Sequence, residues 1–70
     1  MEARAERHRH AAQTHDESAG RHEEAATFWS ERGDAARADI ERRSAELERA
    51  AAALERDRAD LEDQDAANRR

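Results

Sequence analysis

Apolar and small positions recur along this chain every seven residues without a skip: Ala5, Ala12, Ala19, Ala26, Gly33, Ile40, Leu47, Leu54 and Leu61 fall in one column. A seven-residue repeat sustained this long is the signature of α-helices packed along a seam. The column changes character at Gly33, from uniformly small side chains before it to branched aliphatic ones after it. That change predicts two partners facing each other. If the chain reverses at Gly33, antiparallel geometry sets opposite one another residues whose numbers sum to about 66, so that Ala26 meets Ile40, Ala19 meets Leu47, Ala12 meets Leu54 and Ala5 meets Leu61. Each bulky residue then finds a small one, which lets two helices interdigitate at close approach.

The predicted architecture is all-α: one domain over residues 1–70, built as an antiparallel, coiled-coil-like two-helix hairpin. Helix one is expected over about 2–32, a turn at 33–34 and helix two over about 35–67. Gly33 tolerates the left-handed conformation that ends helices, and Asp34 can accept backbone N–H bonds as the N-cap of the next one. The competing arrangement is one uninterrupted helix of roughly 65 residues, about 100 Å long, in an extended dimeric coiled coil, because a glycine inside a helix costs only about 1 kcal/mol.

Around the turn, the small residue Ala26, the aromatic Trp29, the Gly33-Asp34 pair and the small residues Ala38 and Ala45 resemble a tetratricopeptide helix-turn-helix. The resemblance covers residues 26–45 and implies a turn at that place. Arg42 stands where that family carries an aromatic, and its repeat of about 34 residues does not recur. No family follows from it.

Composition agrees with helices and limits what they can bury. Ala, Glu, Arg and Leu are strong helix formers, Pro is absent, and Thr14, Thr27 and Ile40 are the only β-branched residues. Apart from Ala, the apolar side chains are Met1, Phe28, Trp29, Ile40, Leu47, Leu54 and Leu61. That is a thin core for a single chain, so a partner chain is expected to complete it. A charged fraction of 44% with few aromatics also suits a disordered adaptor that folds on a partner, a reading opposed by the regular apolar spacing. No cysteine occurs, which excludes disulfides and thiolate chemistry. No apolar run reads as a signal peptide or membrane span, so the expected address is the cytoplasm.

A second column carries the candidate chemistry. His8, His15 and His22 also recur every seven residues, and Trp29 completes the series. Lying beside the Ala column, these four residues form a semi-apolar face of helix one expected to mediate self-association, giving a homodimeric four-helix bundle. Histidines covered there without charge would make the assembly loosen on acidification.

The alternative is transition-metal binding by His8, His15 and His22, since imidazole is the commonest protein ligand for zinc, copper or nickel. Seven-residue spacing places successive rings about 10.5 Å apart along the axis, whereas chelation on a helix uses residues three or four apart. Only a second chain could repair that geometry; His10 with Glu6 is at most a surface pair.

Other function classes find little support. The carboxylates of helix two alternate with Arg49, Arg56 and Arg58, as on a solvated face with i,i+4 pairs such as Arg56/Asp60 and Arg58/Glu62. No Glu precedes a His by three residues, as di-iron bundles require, and two Ala-rich helices offer no pocket for catalysis. No enzyme activity is expected. The net charge of −5 and the lack of aromatics among Arg4, Arg7 and Arg9 oppose nucleic-acid binding, and a single Leu column with acidic excess opposes a membrane surface. Arg32-Gly33-Asp34 spells an adhesion tripeptide, but the helix turn accounts for it. The expected function is that of a small, non-enzymatic structural or protein-interaction module.

Overall fold

The computed structural model describes residues 2–69, with side chains from Ala3 onward. Met1 and Arg70, the ends of the expected domain, lie outside the described residues. Two α-helices, α1 (Glu2–Glu31) and α2 (Ala35–Asn68), run antiparallel in a hairpin, and no strand is present among the described residues. Its Cα extents are 58 × 13 × 9 Å, two helices thick in one direction and one in the other.

The reversal is built from a few polar contacts. The Trp29 carbonyl accepts the N–H groups of Arg32 and Asp34 at 3.1 and 3.0 Å, and the Ser30 carbonyl accepts that of Gly33 at 3.0 Å. These bonds satisfy carbonyls that a helix end leaves open. Gly33 has φ of 78°, the left-handed conformation in which a Cβ would meet its own backbone. Asp34 then caps α2: its Oδ1 accepts the Arg37 backbone N–H at 3.0 Å, and its Oδ2 accepts the Arg37 guanidinium at 2.6 Å. Those bonds, the backbone one first, hold the Asp34 carboxyl below the usual carboxylate range. Helix α1 runs unbroken through Gly20.

The seam differs from the expected Ala-to-Leu pairing. Ala5, Ala12, Ala19 and Ala26 are buried on α1, but their counterparts on α2 are Ala38, Ala45, Ala52 and Ala59, all with at most 1% of their surface exposed. Ile40, Leu47, Leu54 and Leu61, expected to line the seam, are exposed by 54, 73, 55 and 58%. Two residues along a helix is a rotation of about 200°, so the aliphatic column points almost directly away from α1.

The physical reason is that α2 carries two columns of the same period, one Ala and one Ile/Leu, and only one can face inward. Alanine on both sides brings the backbones close, and closeness lets charged side chains flanking the seam reach across it. Size complementarity, which favoured the leucines, ranks only one flat pattern against another. It cannot weigh the flanks.

Candidate functional site

Three features of the surface could carry function: the two flanks of the seam and the outer face of α2. On one flank stand the histidines. His15 Nδ1 lies 2.7 Å from Glu48 Oε1, His22 Nδ1 lies 2.7 Å from Glu41 Oε1, and His8 Nδ1 is 3.4 Å from the nearer oxygen of Glu55. The Ser18 hydroxyl donates to the second Glu48 oxygen at 2.5 Å, and Arg4 reaches Glu62 at 3.9 Å. Glu41, Glu48, Glu55 and Glu62 are themselves a seven-residue column, so a His column and a Glu column run past each other in opposite directions.

Ionised carboxylates only accept hydrogen bonds, which assigns the proton to Nδ1 of His15 and of His22. The bond from Ser18, followed by that from His15, holds the Glu48 carboxyl below the usual carboxylate range. Glu55 is lowered chiefly by the Arg58 guanidinium, which donates to it at 2.5 Å, and less by His8; partial burial opposes the shift at both glutamates.

The opposite flank holds acid–arginine pairs of the same period. Arg9 pairs with Asp63, Arg56 with Asp16 and Arg49 with Glu23. Between α1 and α2 the sense of the charge inverts along this flank, with the base on α1 at the open end and on α2 nearer the turn. Such exposed pairs are each worth little, but three in one register disfavour a slipped one.

The face of α1 expected to await a second chain is thus engaged inside the hairpin. His8, His15 and His22 meet glutamates of α2, with side chains still 30 to 38% exposed. Trp29 belongs to the turn: its ring meets Phe28 edge-on, with centroids 5.0 Å apart, and the Arg37 guanidinium stands 5.2 Å from its centroid.

Metal binding gains no support from this arrangement. The three rings stay on successive pairs of turns, each turned to a different glutamate, and among the described residues no group of three His, Cys, Asp or Glu side chains could hold an ion. Nor do Arg56 and Arg58 make the i,i+4 pairs read from the sequence, being directed to Asp16 and Glu55 instead.

What sequence reasoning passed over is the column Ala38, Ala45, Ala52, Ala59 and the column Glu41, Glu48, Glu55, Glu62. The signal was present, because both repeat at the seam's own period. It was masked by the larger apolar residues of the neighbouring column.

Those residues form the third feature. Along the outer face of α2, Ile40, Leu47, Leu54 and Leu61 stand every two turns, interspersed with exposed Arg43, Ala50 and Asp57. Scattered exposed aliphatics need no explanation, but four in line on one helix face do. No helix among the described residues is long and apolar enough to cross a membrane. No family model, curated protein or solved structure matches the chain.

Proposed function

We propose that the protein is a small, non-catalytic interaction module that associates with a second copy of itself through the outer face of α2, giving a dimeric four-helix assembly. One observation carries the proposal: the chain's regular column of large aliphatic side chains, Ile40, Leu47, Leu54 and Leu61, is left in water by the hairpin. Among the described residues only alanines are buried, and an alanine contributes little compared with the 1.5–3 kcal/mol or so of a fully buried leucine. Covering the aliphatic column therefore offers more apolar burial than the seam does. The α1 flank has its hydrogen-bonding and charge needs met by α2, which supports moving the self-association surface from the histidines to the leucines.

Sedimentation velocity tests it. The wild-type chain is expected as a dimer at micromolar concentration, and Leu47→Glu with Leu54→Glu as a helical monomer. A wild-type chain that stays monomeric at about 100 μM, well above the range in which specific dimers assemble, sinks the proposal.

A further inference from the structure

Resting on self-association through the outer face of α2, the pattern of that face points to one geometry: the two α2 helices pack antiparallel about a two-fold axis at Ala50. From its N-terminal end the face reads Ile40, Arg43, Leu47, Ala50, Leu54, Asp57, Leu61, with alternating spacings of three and four. That is the spacing of a helix seam. The order is also self-complementary about its middle. A closed two-fold interface places the same patch on both chains, so residue i of one meets residue j of the other and the reverse. With Ala50 on the axis, Leu47 lies beside Leu54 of the second copy, Ile40 beside Leu61, and Arg43 beside Asp57.

Both flanks of the aliphatic column agree with this arrangement. A two-fold axis lying in the interface sets each flank against its own copy. On the first flank Arg43 is level with Asp57, and Ala50 with itself. On the second flank Ser44 is level with Arg58, and Ala51 with itself. No like charges meet, and small residues occupy the axis, where the backbones come closest. A parallel pair, related by an axis along the helices, instead sets the first flank against the second, with Arg43 beside Ser44 and Asp57 beside Arg58, and lays the acid-rich segment 57–65 of each chain alongside its own copy. Arg43 is available for the contact, because its pair with Asp39, at 3.1 Å, joins side chains 67 and 62% exposed.

The arrangement that follows is α1, α2, α2, α1 side by side in a layer, in place of a square bundle. Each α2 is seamed by alanine to its own α1 on one side and by leucine to the second chain on the other. Opposite faces of one helix thus do two jobs with one period.

Charge reversal and a distance measurement test the geometry. Arg43→Asp leaves an acid at both positions and Asp57→Arg a base at both, so each variant alone is expected to dissociate at least ~10-fold more readily than wild type, the scale of opposed like charges in a seam. An equimolar mixture of the two should recover wild-type affinity as a heterodimer, as should the double variant. A spin label at Gln64 is expected about 42 Å from its copy, because the levels differ by about 28 residues at 1.5 Å each.

Single reversals with wild-type affinity, or labels within about 20 Å in a stable dimer, overturn the antiparallel register while leaving self-association intact. A monomeric wild-type chain removes both. A wild-type monomer that dimerises only with a different helical protein does so too.

Discussion

Helix α2 carries two columns of identical period that met opposite fates. Ala38, Ala45, Ala52 and Ala59 are buried almost completely, while Ile40, Leu47, Leu54 and Leu61, two residues further on, face outward. By side-chain transfer energy alone the order should be reversed. The comparison teaches that a seam between two long, charged helices is selected by how close the backbones come and by what lies beside the contact. An alanine seam puts His15 and Glu48, or Arg56 and Asp16, within reach of each other. The hydrophobic column excluded from it becomes a surface.

The comparison breaks most directly at the seam. Ala45→Leu with Ala52→Leu adds bulk where nothing is exposed, and overpacking costs about 1–3 kcal/mol per site. Thermal melting followed by circular dichroism is expected to show a drop on the order of 10 °C or more, or loss of the hairpin. If the Ile/Leu column lined the seam instead, the same substitutions would sit on the far face and leave the melt unchanged.

The two glycines give the next largest effects, with opposite signs. Gly33→Ala forces a Cβ into the left-handed conformation at φ of 78° and should destabilise by about 1–2 kcal/mol. At Gly20 a Cβ would meet nothing within 4 Å, so Gly20→Ala should stabilise by about 1 kcal/mol. Paired melts of the two variants check both the turn and the continuity of α1.

Acid titration probes the histidine flank. Glu48 and Glu55 have folded-state pKa values below those of the unfolded chain, so their contribution is complete above the unfolded value, about 4.3, and is lost as pH falls through the folded one. The melting temperature should decline as the pH falls below about 4. Ser18→Ala removes the largest cause of the Glu48 shift and should lessen that decline.

The smallest effect is expected from Leu47→Gln, read on the dissociated chain. An exposed site changes stability by no more than about 0.5 kcal/mol, whereas truncating a buried leucine costs about 2–5 kcal/mol. Chemical denaturation at low concentration separates these, and a large loss would place Leu47 in the seam after all.

The sequence by itself determined the helices, their period and where a reversal would fall if the chain turned back. Ala-, Glu- and Arg-rich segments without proline have one good secondary structure, and a glycine followed by a capping aspartate marks a break wherever they occur. Half of the seam was legible too, because the longest small-residue column of α1, Ala5 to Ala26, is the one that is buried.

What only the tertiary structure decided was the rotation of α2 about its own axis. That angle is the joint outcome of the turn at Gly33 and of cross-helix pairs such as His22 with Glu41 and Arg49 with Glu23. It changes no residue's helicity, so no local preference records it. Yet a rotation of about 160° exchanges which column is core and which is surface. For that reason the assignment of the leucines to the inner face could be made from spacing and still be inverted by packing.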